Sequence, residues 1–396
     1  MTVIPRNELN ARVAAFQKIL CEEGVSAALV VQHADLFYFC GAVNRAYLYI
    51  PASGEPTLLI FPGAERVREE SEIAHIVGIA KLEQLPELLA ALGYANPAVL
   101  GLEGDVLPAA LHARLATLFS SSRTTDVSGF IRRVRMVKSL WEIGQIQTDC
   151  RMGMEIFNFV PQVLCQQMSE LELTAHVESF SRQLGHPGYM RARGFNQELT
   201  YALILSGPDS AVPSYNNGPL GGRGMPPAFP HASTYRLIGK NEPVIVDYAA
   251  WAGGYLADMT RTYCIGSLPG HMEHAYEVAL AIQELMKKKA RVGAVCGELW
   301  TAVRQLVRTK GLCEHFMGMT RRASFIGHGV GVEIDELPVL APKNELILQM
   351  NMVVAVEPKF VFPDGAVGLE NTFVVGEAGL ISLVGDSDAV HYIHEH

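Results

Sequence analysis

The sequence predicts an α/β chain of two domains, and three observations predict it. At 396 residues it exceeds what one ordinary compact core holds. Apolar residues at helical spacing alternate with short apolar runs bounded by Gly or Pro, as helices alternating with buried strands require. The small, polar stretch Phe119-Ser120-Ser121-Ser122-Arg123-Thr124-Thr125-Asp126, followed by Gly129, reads as a linker. The expected boundary is near residue 130, giving domains 1–130 and 131–396.

In the first domain, Leu9, Val13, Phe16, Ile19 and Leu20 predict a helix over Glu8–Leu20, with Asn7 as its cap. Ser26–Val31 and Thr57–Phe61 predict buried strands, and Pro108–Leu118 a second helix. The second domain opens with the basic run Arg132, Arg133, Arg135 and Lys138 and a long helix over about Ser139–Leu164. Further helices are predicted over Ser169–Gln183, His271–Arg291 and Gly297–Lys310. Strands are predicted over Pro243–Ala249, Tyr255–Ile265, Met352–Val356 and Ala366–Val375. Ser206–His231 is rich in Gly and Pro and reads as a long functional loop.

Composition excludes several classes. Lys+Arg number 32 against 41 Asp+Glu, a net charge of −9, so there is no basic surplus for nucleic acid. No apolar run approaches the roughly 18–20 residues of a membrane span. Met1–Asn10 is polar and charged where a signal peptide would be apolar. The seven cysteines are scattered and form no CxxC, which argues against a disulfide framework and for a reducing, cytoplasmic setting.

Four carboxylates occupy two matched settings. The apolar strand Pro243–Val246 ends in Asp247; the turn signal Gly253-Gly254 follows, then Tyr255-Leu256-Ala257-Asp258-Met259-Thr260-Arg261-Thr262. Asp247 and Asp258 are 11 positions apart, the spacing of a hairpin that places both on facing strands, and period two puts Asp258, Thr260 and Thr262 on one face. Met352–Val356 likewise ends in Glu357, and after the turn signal Pro363-Asp364-Gly365 comes Glu370, 13 positions on. Acids ending such apolar strands are costly unless paired or bound to a cation. His328 lies within Gly327-His328-Gly329-Val330-Gly331, where glycines permit close approach. With no lysine adjacent to any of the five, the set suits two hard or borderline divalent cations sharing carboxylates. Singly, each has a structural reading, an Asp in a turn or an interior His; the specificity lies in all five occurring in order.

These residues resemble the pita-bread metallopeptidases, the family of aminopeptidase P, prolidase and methionine aminopeptidase, with creatinase as a metal-free relative. The matching segments are Val246-Asp247, Asp258–Thr262, Gly327–Gly331, Val356-Glu357-Pro358 and Leu369-Glu370-Asn371. Asp35-Leu36-Phe37-Tyr38-Phe39-Cys40-Gly41 and Arg135-Met136-Val137-Lys138 resemble the creatinase/aminopeptidase P amino-terminal domain. The resemblance implies an amino-terminal α/β domain followed by a pita-bread domain, a curved antiparallel sheet flanked by helices. It also implies a dinuclear hydrolase cleaving short peptides in the Xaa-Pro manner through a metal-bridging hydroxide. Asp247 would hold one metal, Asp258 and Glu370 both, and His328 and Glu357 the other. Glu357 would also shuttle a proton, and Thr260 would support the site. The metals would be manganese, or cobalt or zinc, and the assembly a homodimer.

The pattern departs around the ligands. Where prolyl peptidases of the family carry a substrate-contacting histidine, seven positions past the ligand, this chain has Asp335. Where aminopeptidase P has an arginine two positions before the last glutamate, it has Gly368. His231, 16 positions before Asp247, is the candidate for a third family histidine with a catalytic role. An ionised Asp335 cannot donate to an oxyanion as an imidazole does. Asp335 and Glu336 either select a cationic substrate group or form a solvated acid pair. A metal-dependent hydrolase or lyase acting on a small non-peptide substrate, cationic ones included, therefore stays open, as does a catalytically silent binding module.

Overall fold

The computed structural model describes residues 3–63, 66–385 and 388–393. It divides into two compact units, Met1–Arg135 with Arg193–Asn196, and Met136–Ala192 with Gln197–His396.

The first unit is built on six strands, β1 (Ala27–Val30), β2 (Ala46–Pro51), β3 (Thr57–Ile60), β4 (His75–Gly78), β5 (Val99–Leu102) and β6 (Arg123–Asp126), in the order β4-β3-β2-β1-β5-β6. Leu29, Leu59, Leu100 and Leu102 pack with Leu115 and Phe119 on one face. Phe16 and Leu20, from the helix Arg6–Glu22, are fully buried. Two expectations are corrected. Asn7 lies inside that helix, whose cap position is Pro5. The stretch expected to be a linker is in part β6, which pairs in parallel with β5 from Val99↔Arg123 to Leu102↔Asp126. It reads as polar because an edge strand buries little of its surface.

In the second unit, the helices Leu140–Val163 and Glu170–Gln183 each start in a reciprocal capping box, Ser139 with Glu142 and Ser169 with Glu172. The helices Gly270–Lys289 and Cys296–Thr309 follow. The strands are β7 (Ala202–Ser206), β8 (Pro243–Ala250), β9 (Ala257–Ile265), β10 (Gly327–Gly329), β11 (Glu336–Val339), β12 (Val353–Val356), β13 (Lys359–Phe362), β14 (Gly365–Gly368), β15 (Asn371–Val375), β16 (Leu380–Ser382) and β17 (His391–Ile393). They form the sheets β17-β9-β8-β7 and β11-β10-β12-β15-β16 and the hairpin β13-β14, antiparallel except where β17 joins β9. The stretch Ala366–Val375, expected as one strand, breaks at Leu369-Glu370 into β14 and β15. At the break Glu370 bridges to Thr260, tying the two larger sheets together. The stretch Ser206–His231, expected as a loop, begins instead with the last residue of β7 and a 3-10 helix over Gly207–Ala211, and residues 212–242 carry neither helix nor strand.

Candidate metal centre

The hairpin β8-β9 sets the first two carboxylates. Asp247 pairs with Thr260 and Asp258 with Ala249, so Asp247, Thr260 and Asp258 share one face. The Thr260 hydroxyl lies 2.8 Å from Asp247 Oδ1 and 3.0 Å from Glu370 Oε2. Behind it, the buried Arg261 guanidinium donates to the Thr260 and Glu370 carbonyls and to Asn371 Oδ1. This clamp holds the strand break at which Glu370 turns inward.

His328 enters from β10, where Gly327 and Gly329 let neighbouring strands approach. A Cβ on Gly327 would meet the Ala355 carbonyl at 2.3 Å, and one on Gly329 the Leu337 carbonyl at 2.2 Å. His328 Nδ1 is 3.1 Å from the Gly329 carbonyl, which only accepts, so Nδ1 carries the proton and Nε2 offers its lone pair. Nε2 faces Asp258 Oδ2 and Glu357 Oε1, each at 3.7 Å, and Glu370 Oε1 at 4.0 Å. Ligand atoms of Asp258, His328 and Glu370 lie within 4.8 Å of one another. Glu370 Oε1 is buried with no hydrogen-bond partner. An orphaned carboxylate oxygen, an imidazole oriented by the Gly329 carbonyl and two further carboxylate oxygens fit a divalent cation.

The other side of the cluster holds a group that the sequence reading passed over. Lys359, two positions past Glu357, is 1% exposed. Its ammonium lies 2.7 Å from Glu357 Oε2, 2.8 Å from Glu370 Oε2 and 3.7 Å from Asp247 Oδ2. No lysine is adjacent to the five residues in sequence, yet one lies among them in space. Strand periodicity was the available signal, since residues two apart share a face.

Electrostatics follow from burial and crowding. Burial, reinforced by the charges of Glu370 and Asp247, pushes the Asp258 carboxyl well above its usual range. Burial raises Asp247 and Glu370 too, with Lys359 opposing the rise in both. Burial pulls His328 down, but the charges of Asp335, Glu357 and Glu370 outweigh it and leave it raised. Burial also works against the Lys359 ammonium, and Asp247, Glu357 and Glu370 overrule it, holding it firmly charged.

The remaining candidates divide. Asp335 is partly exposed and places Oδ1 3.7 Å from His328 Nδ1. Glu336 does not share that setting. It is buried, accepts from Lys138 Nζ at 2.8 Å and from the Glu333 amide at 3.2 Å, and is neither a solvated surface acid nor open to substrate. His231 is buried in the 212–242 loop, its Nδ1 3.4 Å from Ser214 Oγ. Burial lowers its pKa against the pull of Asp247.

Residues 144–377 match the model of metallopeptidase family M24, and residues 12–137 that of the creatinase/prolidase N-terminal domain. The chain belongs to metallopeptidase family M24. It is an enzyme of the metallopeptidase type, with the creatinase-like amino-terminal domain and pita-bread domain of that family. A Xaa-Pro dipeptidase of Pyrococcus horikoshii is 25% identical over 374 residues, 94% of this chain and 96% of that protein. Among solved structures, a Xaa-Pro dipeptidase from Bacillus anthracis superposes with a TM-score of 0.83 at 20% identity, covering 97% of this chain and 100% of that one. The dipeptidase PepE of Mycobacterium ulcerans gives 0.80 at 23%, covering both chains completely. M24 membership and the oxygen-rich donors together imply divalent metal.

Proposed function

We propose that this M24 protein is a metal-dependent hydrolase of short peptides, of the Xaa-Pro dipeptidase or aminopeptidase type. The observation that carries the reading is the convergence of Asp258, Glu357 and Glu370, whose Oε1 is orphaned, on His328 Nε2. A divalent ion held there supplies Lewis acidity to a peptide carbonyl and acidifies water. Manganese suits these donors first, with cobalt or zinc as substitutes.

The protein's own groups would divide the remaining work. Glu357 Oε1 is the proton acceptor and later donor, while Lys359 holds Oε2 in place. Thr260 holds Asp247 and Glu370 in place. His231, kept neutral by burial, is positioned to donate to a substrate oxygen. Asp335, beside His328 and open to solvent, is the group that meets a substrate amine. The Xaa-Pro class is supported by the named activity of the Pyrococcus relative, which aligns over nearly the whole chain. We take the enzyme to be a cytoplasmic homodimer; its unpaired cysteines favour a reducing compartment. No helix among the described residues is long and apolar enough to cross a membrane.

The test is product release from a panel of Xaa-Pro dipeptides and Xaa-Pro tripeptides by manganese-loaded protein, with a chelator in a parallel sample. Chelator-sensitive release of a free amino acid or of proline is expected. Absence of release from every peptide, with metal bound, overturns the peptidase reading and turns attention to small cationic substrates.

A further inference from the structure

We propose that Lys359 is a built-in cation occupying one of the two metal positions, so that each chain holds a single divalent ion, on Asp258, His328, Glu357 and Glu370. The carboxylate oxygens are already partitioned. Glu357 Oε2 and Glu370 Oε2 accept from the ammonium, and Asp247 Oδ2 faces it. The other Asp247 oxygen takes the Thr260 hydroxyl. What remains is the Asp258 carboxylate, Glu357 Oε1, Glu370 Oε1 and His328 Nε2, with Asp258 Oδ2, Glu357 Oε1 and Glu370 Oε1 each within 4.0 Å of that nitrogen. A second cation on Asp247, Asp258 and Glu370 would have to take Glu370 Oε2 and Asp247 Oδ2 from the ammonium.

The backbone keeps the lysine there. Lys359 opens β13 and pairs with Gly368 on β14, and its carbonyl accepts from the Met317 amide at 2.9 Å. The aliphatic stem crosses the bare face of Gly368. A Cβ at 368 would stand 2.8 Å from Lys359 Cα and Cγ and 2.5 Å from the Pro358 carbonyl, so only glycine leaves the lysine this path. Charge points the same way. Four carboxylates balance two dications. With the ammonium present, one dication leaves a single negative charge, whereas two would bury a net positive charge with a dication against an ammonium.

The inference rests on the metal-dependent reading above but not on the substrate. Chelator-stripped full-length protein is titrated with Mn²⁺ by calorimetry, its metal content is determined after dialysis, and its low-temperature electron paramagnetic resonance spectrum is recorded. The expected result is about one Mn²⁺ per chain with the spectrum of an isolated ion. Lys359→Ala should bind about two and show an exchange-coupled spectrum, while Lys359→Met, neutral but still filling the position, stays at one. Two ions per chain or a coupled spectrum in the unmodified protein overturns the inference and leaves the peptidase reading standing. One ion without peptide hydrolysis does the reverse, and no bound ion removes both. A folded Lys359→Ala that still binds one ion also overturns it. Should that variant not fold, the stoichiometry and spectrum of the unmodified chain decide alone.

Discussion

Replacing Thr260 by valine removes one hydroxyl from the centre of the carboxylate cluster and changes little else. Thr260 is fully buried, so no bulk water replaces the lost group, and valine keeps the β-branched shape that β9 requires. The hydroxyl contacts Asp247 Oδ1 at 2.8 Å and Glu370 Oε2 at 3.0 Å. It has a single proton, so it donates to one carboxylate and accepts from the other only when that one is protonated. The raised Asp247 and Glu370 carboxyls fit such sharing. Hydrogen bonds to charged groups are worth about 1.5–3 kcal/mol, the expected loss of stability in Thr260→Val. Loss of a group that orients a ligating carboxylate should weaken Mn²⁺ binding by about 10–100-fold. Thr260→Ser should retain most of both. The three tryptophans, Trp141, Trp251 and Trp300, all belong to the second unit, so guanidinium unfolding followed by tryptophan fluorescence reports on the unit that carries the site. A Thr260→Val protein within about 0.5 kcal/mol of the parent, binding Mn²⁺ within about threefold, would refute the reasoning.

Two further outcomes are expected. Asp149 is fully buried, its Oδ1 accepting from the Ala252 amide at 2.7 Å, and burial pushes its carboxyl from 3.8 up to about 8. The folded state therefore binds a proton that the unfolded chain has lost, and stability falls as pH rises from about 4 to about 8. Asp149→Asn should remove that part of the fall; a melting-temperature difference from the parent that does not widen between about pH 5 and about pH 8 contradicts it. Glu336→Gln removes the carboxylate that compensates the buried Lys138 ammonium and should cost about 3–5 kcal/mol while leaving KM for peptide unchanged. A raised KM at full stability would instead restore Glu336 as a substrate group.

The metal hairpin was legible because its signals are local. Apolar strand, turn and period two specify that Asp247 and Asp258 share a face, and antiparallel pairing of Asp247 with Thr260 needs only the turn length. What escaped reading depends on partners distant in sequence or on strand phase. Glu336 looks like a surface acid beside Asp335 until Lys138, 198 positions away, is brought against it. Lys359 is invisible to a search of immediate neighbours but lies in phase with Glu357, as Gly368 does with Glu370. The polar stretch before Asp126 carries the composition of a linker because an edge strand, paired on one side only, needs few apolar residues.

Gly368 and Lys359 are best understood together. They are a cross-strand pair on β13-β14, and the missing side chain of one is the path of the other, so neither can change without consequence for the cluster. A tethered ammonium differs from a bound ion in three respects. It cannot dissociate, it donates hydrogen bonds in fixed directions, and it offers no open position to a substrate oxygen. Its effect on Glu357 is directional: Oε2 is held, and Oε1 is left facing His328 Nε2. The carboxylate is thus pinned at one oxygen by the chain itself. On the reading proposed above, the metal that polarises substrate lies on the Asp258–His328 side, with Asp335 at its solvent edge. Substitutions around His328, more than on the lysine-filled side, should then change substrate preference.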